Sequence, residues 1–370
     1  MKRHVDALVR EALRDAIVRG RVRSRGEVAF QVEPPRHGEF GDLACDVGLV
    51  LARALGESPH ELAAAVVDRL QDPHGWLAAV TIGGPGFVNF RLSLAFWRTM
   101  LAEALAAGPD YGRARAGAAG RALVDVVADG DSQTVRAWVL ARALVAVLRE
   151  TGWNVAEAAA GDAPGIDLAV AVLVPTRSDA VARFRAALAG SPALRVIGVR
   201  PVRTGRDGEP VDGALVRGEP GDSARLLMLL ERADRAVDLD LEQAASGRTD
   251  NPGFLVRLAR ERLVRIVAAG SPAAAGAACL GDLAERDVEV LRAVAAWPDV
   301  VEVAAQTLEP DRVARYLVQT AMGAHRWVNR HRLLGGHAPV PPARAALAGC
   351  LERILSRAAA LCGMSVTERP

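Results

Sequence analysis

The chain has 370 residues, 51% of them hydrophobic and 24% charged, with a formal net charge of +2. That is the balance of a soluble globular protein of two or three domains. Charges interrupt every apolar run, and Met1-Lys2-Arg3-His4-Val5-Asp6 has no apolar core behind its basic start. Neither a membrane span nor a secretory signal is expected, and a cytoplasmic location is the expectation. The four cysteines, Cys45, Cys279, Cys350 and Cys362, form no CxxC pair, and His37 and Cys45 stand too isolated for a metal site. Buried thiols and no metal are expected. The small net charge draws no polyanion by itself, so a nucleic-acid surface would have to come from local charge.

The first segment, residues 1–120, reads as an α+β domain. Val5, Leu8, Val9, Leu13 and Ile17 recur at helical spacing. Residues 41–55 read as a second helix, with Leu43, Val47, Val50 and Leu51 on one face. Ser58 before Pro59, followed by Leu62, Val66 and Leu70, predicts a capped third helix. Residues 79–82 and 87–92 read as two strands joined through Gly83-Gly84-Pro85-Gly86. Residues 106–120 read as an exit helix and linker.

The second segment, residues 121–221, reads as α/β. Residues 122–127 form an apolar strand, 135–149 an amphipathic helix, and 168–174 a continuous apolar run of the kind buried in parallel sheets. A helix over 179–188 and a strand over 194–199 complete a doubly wound unit. The third segment, residues 222–370, reads as helical. Leu255, Leu258, Ala259, Leu263, Ile266 and Val267 mark one face, and further helices are predicted over 283–297, 311–334 and 342–361.

Several motifs fall in a telling order. They are Gly38-Glu39-Phe40-Gly41-Asp42-Leu43-Ala44, Gly83-Gly84-Pro85-Gly86-Phe87-Val88-Asn89-Phe90, Asp222-Ser223-Ala224-Arg225, Asp250-Asn251-Pro252 and the closing run from Leu361. Together they resemble the arginyl-tRNA synthetase family. The resemblance implies a multidomain protein: an α+β N-terminal tRNA-binding domain, a reduced Rossmann-like class I α/β domain, and an all-α DALR-type anticodon-binding bundle. It also implies an internal deletion after Asn154-Val155 that removes much of the amino-acid pocket.

Two signatures of that family are missing. Counting back from Thr151-Gly152-Trp153 puts residues 131–134 where the family has its HIGH-type motif, and Asp131 brings negative charge where a phosphate needs positive charge. No histidine occurs between His74 and His325, and Lys2 is the only lysine, so a KMSK-type loop cannot follow the lead-in Arg203-Thr204-Gly205-Arg206. Adenylation depends on such donors around the triphosphate. Arg136 could substitute in part, although an arginine at a helix start is more often solvated. No catalytic residue is assigned.

The glycines of Gly83-Gly84-Pro85-Gly86 read as a tight hairpin turn rather than a phosphate cradle, since no helix with Lys and Ser/Thr follows. Spacing alone places Phe87 in a core. The resemblance instead implies that Phe87 and Asn89 contact the tRNA D-loop, by stacking and by a base-edge hydrogen bond. Further on, Arg312, Arg315, Arg326, Arg330, His331 and Arg332 interleave with Tyr316 and Trp327. Basic residues among aromatics suit RNA, and a solvated helix face is the plainer alternative. Val328 stands where the family carries a tyrosine, and Arg344 matches a commonly basic position. Asp238 and Asp240 read as capping rather than catalytic residues.

The RNA-binding candidates are thus Phe87, Asn89, Arg315, Tyr316, Trp327, Arg330 and Arg344. The expected partner is tRNA or a tRNA-like RNA, with a true synthetase or another protein as a further partner, and with no membrane and no metal. No cofactor is expected. ATP enters only if the chain is a divergent but active arginine–tRNA ligase. The remaining alternative is a protein-interaction subunit that no longer binds RNA.

Overall fold

The computed structural model describes residues 1–23, 28–35, 37–114, 116–127, 135–156, 166–173, 194–200, 202–204, 209–210, 221–270, 277–335 and 339–365. The chain forms two compact units. The first comprises Met1–Ala106 with Leu280–Ala295, and the second Ala107–Cys279 with Ala296–Pro370. The second segment and most of the third read from sequence therefore share one unit, while residues 280–295 of the third belong to the first.

In the first unit, helix α1 (Lys2–Val18) buries Val5, Leu8, Val9, Ala12, Leu13 and Ala16, as its spacing predicts. Strands β1 (Val32–Glu33), β2 (Leu43–Cys45), β3 (Leu77–Gly83) and β4 (Phe87–Leu92) make an antiparallel sheet in the order β1-β2-β4-β3. Residues 43–45 are thus a strand and not part of a helix. Leu43 and Cys45 are fully buried and pair with Phe90 and Val88 of β4, a period-two pattern too short to stand out beside the helix that follows. That helix, α2, spans Val47–Leu55, and α3 spans Pro59–Val67. Ser58 precedes α3 but makes no side-chain cap. The exit helix lies upstream of the predicted place: α4 runs Leu94–Ala107. Ser93 starts it, its hydroxyl accepting from the Phe96 N–H at 3.2 Å and donating to the Gly75 carbonyl at 2.6 Å. Phe90, Phe96, Trp97 and Met100 fill the core beneath the sheet.

In the second unit, β5 (Gly120–Val127), β6 (Trp153–Ala156), β7 (Leu168–Leu173) and β8 (Leu194–Gly198) form a wholly parallel sheet in the order β6-β5-β7-β8. Parallel strands need crossovers, and α5 (Val135–Glu150) supplies the one between β5 and β6. The helix predicted over 179–188 lies outside the described residues. A small sheet of β9 (Val202–Thr204), β10 (Glu209–Pro210) and β11 (Val237–Leu239) follows.

The helical part contains α6 (Asp222–Leu230), α7 (Leu241–Ala245), α8 (Pro252–Ala269), α9 (Val288–Thr307), α10 (Asp311–His331) and α11 (Pro342–Leu361). Asp240 caps α7 by accepting from Glu242 and Gln243 N–H groups at 2.9 and 3.0 Å, whereas Asp238 is an exposed strand residue. Asn251 caps α8 in the same manner. Arg357 of α11 pairs with Glu150 at the end of α5, donates to the Tyr111 carbonyl at 2.5 Å, and sits 5.5 Å over the Trp297 ring. This joins the helical part to the α/β part within one unit. Among the described residues no helix is long and apolar enough to cross a membrane, and no cluster of His, Cys, Asp and Glu could hold a metal. Cys45, Cys350 and Cys362 are free and buried, and burial pushes the Cys45 and Cys362 thiols up to about 12.

Candidate nucleic-acid interface

The hairpin turn between β3 and β4 explains its own glycines. Gly86 adopts φ +124°, and a Cβ there would lie 2.8 Å from Pro59. Only glycine fits so close an approach with that backbone. The motif around Gly41 is structural in the same way. Gly41, at φ +109°, packs against the Phe90 carbonyl. The Asp42 N–H donates to that carbonyl at 2.7 Å, and its carboxylate accepts from the Leu92 N–H at 2.8 Å and from Arg292 at 2.5 Å.

These constraints leave a groove of about 490 Å³ lined by Glu33, Phe40, Asp46, Phe87 and Asn89, among others. Phe87 is 37% exposed and Phe40 46%, so Phe87 is a surface ring and not a core residue. Asn89 differs. It is 6% exposed and lies in β4 between Thr81 and Ala44, so only part of its amide borders the groove. Phe40 is missing from the sequence-derived candidates because nothing in its short turn distinguishes a packed ring from a presented one.

The basic helix α10 divides by face. Tyr316 is 8% exposed, with its ring 5.5 Å from Trp297 and its hydroxyl bonded to Thr320; burial drives its pKa sharply upward. Trp327 is fully buried, and so is Val328. Both aromatics belong to the bundle core, which corrects the expectation that they offer stacking faces to RNA. The physical reason is phase: positions 313, 316, 317, 320, 324, 327 and 328 form one buried stripe. Arg315 is tied to Asp311 one turn back and donates to the Leu230 carbonyl at 3.4 Å, and Arg312 pairs with Glu309 at 2.7 Å. Arg326 and Arg330 are exposed on the opposite stripe with Met322 and Asn329. Arg344 is half-buried near the start of α11.

A further arginine joins this face. Arg262 of α8 donates to Asn329 Oδ1 at 2.6 Å and bonds His325 Nδ1 at 3.1 Å. Burial, and then the Arg262 charge, lower the His325 pKa, so the neutral imidazole accepts from the guanidinium. Sequence gave no sign of Arg262, because its partners lie on another helix more than sixty residues away.

In the α/β part, the turn at 128–134 and the stretch 211–217 lie outside the described residues. Arg136, just beyond the turn, is described and is 1% exposed. It donates to the carbonyls of Met228 (3.2 Å), Arg200 (2.9 Å), Arg235 (2.5 Å), Glu231 (3.0 Å) and Arg232 (2.9 Å). Three of these carbonyls belong to the C-terminal end of α6 and the residues just after it, where helix carbonyls lack intrahelical donors. Burial lowers the Arg136 pKa to about 10, so it remains a cation at neutral pH. It is neither solvated nor a phosphate ligand. Its donors are committed to folding the chain.

Comparison with known proteins concerns the two ends of the chain and the fold. The arginyl tRNA synthetase N terminal domain matches residues 3–92, and the DALR anticodon binding domain matches residues 262–369. The arginine–tRNA ligase of Rhizobium meliloti (strain 1021) is 39% identical over 140 residues, 35% of this chain and 24% of that ligase. The arginine–tRNA ligase of Anaeromyxobacter sp. (strain K) is 43% identical over 122 residues, 32% of this chain and 20% of the ligase. The matches therefore span less than a quarter of these curated relatives. Among solved structures, Thermus thermophilus arginyl-tRNA synthetase aligns with a TM-score of 0.67 at 13% identity, over 99% of each chain. Plasmodium falciparum arginyl-tRNA synthetase aligns with a TM-score of 0.70 at 8% identity, over 98% of each. These two likenesses concern the fold.

Proposed function

The chain carries the N-terminal and anticodon-binding domains of the arginyl-tRNA synthetase family, and from that premise we propose that it binds tRNA or a tRNA-like RNA without activating arginine. The observation that carries this reading is the contrast between ends and centre. Both terminal domains are present, while the segment from His74 to His325 holds neither a histidine between those two residues nor a lysine. Arg136, the arginine that could have compensated, spends its donors on five backbone carbonyls. Adenylation relies on preorganised cations around the developing pyrophosphate charge, and in this reading neither Arg136 nor a histidine or lysine of the centre supplies them. The exposed Arg326 and Arg330, with Arg262 fixed beside them, supply a face for phosphates. Phe87 offers a ring on which a splayed base can stack. The chain is in this reading a cytoplasmic pseudoenzyme.

The test is arginine-dependent ATP–pyrophosphate exchange with tRNA present, run beside tRNA binding by filter retention. The expected result is salt-sensitive tRNA binding with exchange no higher than a blank. Exchange well above the blank promotes the active-ligase reading. Failure to retain tRNA favours the protein-interaction subunit, a reading supported by the burial of Tyr316 and Trp327.

A further inference from the structure

We propose that the groove between Phe40 and Phe87 also docks an arginine side chain of a protein partner, so that a basic protein segment competes there with a nucleobase. Its lining is the reason. Two aromatic rings, 46% and 37% exposed, share one cavity of about 490 Å³ with the carboxylates of Glu33 and Asp46. No arginine or lysine among the described residues lines it. Asn89, 6% exposed, also borders the cavity.

A guanidinium meets each of these features. It is flat and cationic, stacks on aromatic faces, and carries five N–H donors with no acceptor. Acceptors are what the Glu33 and Asp46 carboxylates provide. Asp46 spends one carboxylate oxygen on the Gln31 N–H at 2.7 Å and keeps the other. Within the chain, Lys2 already sits 2.6 Å from Glu33, which shows that a cation is drawn to this edge. A nucleobase can use the rings but offers no positive charge to Asp46 or to the Glu33 edge, whereas an arginine uses both. Charge complementarity therefore favours an arginine-bearing protein segment as the occupant. The proposal does not depend on tRNA binding elsewhere on the chain.

The experiment titrates the full chain with a fluorescein-labelled peptide, Gly-Ser-Arg-Ser-Arg-Ser-Gly, and with the same peptide carrying citrulline at both arginines. A short single-stranded RNA serves as the third probe. The arginine peptide should bind saturably, and the neutral citrulline peptide at least tenfold more weakly. Phe40→Ala should weaken the arginine peptide roughly two- to fivefold, the factor an exposed cation–π contact supplies. Asp46→Asn keeps the acceptor for Gln31 but removes the charge, and should weaken it at least as much. Thermal melts should show both variants folded, since Phe40 is a surface ring. Equal binding of the two peptides overturns the proposal. So does arginine-peptide affinity unchanged in both folded variants, or RNA binding that depends on Phe40 where the peptide does not bind.

Discussion

Replacing Arg136 by lysine tests whether the centre of the chain is built for folding. The charge is retained, but an ammonium carries three N–H donors where the guanidinium satisfies five carbonyls, so at least two lose their partner. The site is almost wholly buried, and water cannot fully replace the missing bonds. A buried carbonyl left unsatisfied costs about 1–3 kcal/mol, which puts the loss at roughly 2–6 kcal/mol. The lysine's point charge also stands less well against the C-terminal dipole of α6 than the planar fork does. Against a typical domain stability of about 5–15 kcal/mol, that is a large fraction. Urea unfolding followed by far-UV circular dichroism should show the midpoint falling steeply for Arg136→Lys and further for Arg136→Met, which removes all the donors. A loss below about 0.5 kcal/mol for Arg136→Lys would refute the reasoning, and such a surface-like response would return Arg136 to the pool of candidate phosphate ligands.

Trp327→Ala should cost about 3–5 kcal/mol of stability, because the indole is fully buried in the bundle, while the exposed Arg330→Ala should lower the melting temperature far less; differential scanning fluorimetry separates them. In tRNA binding, Phe87→Ala should lose on the order of 1–3 kcal/mol if a base stacks there, and Arg330→Ala should flatten the salt dependence by about one charge. Phe87 and Arg330 belong to different compact units, so in the double variant the two losses should add within roughly 0.3–0.5 kcal/mol. His325 has its pKa lowered in the folded chain, chiefly by burial, so the unfolded chain binds the extra proton first. Its contribution is present above its unfolded value, near 6.5, and is lost as pH falls towards the lower folded value. Urea midpoints measured from pH 7.5 to 5.5, both values being roughly those spanning the ordinary histidine range, should therefore fall less in His325→Asn than in the parent.

The primary sequence determined the order of elements wherever a periodic apolar pattern ran long enough. Helices α1, α5 and α11 and strands β4, β5 and β7 fall where spacing predicts them, because burial of one face or of a whole strand leaves a repeat that local reading detects. The same holds for the missing histidines and lysines, since absence of a residue type needs no fold to be seen. Short or context-dependent features were not legible. β2 has three residues and β1 two, and a pair of residues shows no period. Tertiary structure alone decided which residues face water. Tyr316 and Trp327 lie in the same run as Arg326 and Arg330, yet the phase of α10 against its neighbours buries the aromatics and exposes the arginines. It also decided what each arginine does. Arg136, Arg262 and Arg357 are chemically alike, but their donors find partners 63 to 246 residues away in sequence. A long flexible side chain takes its role from whichever acceptors the fold brings within about 3 Å, and that is a property of packing, not of the sequence around it.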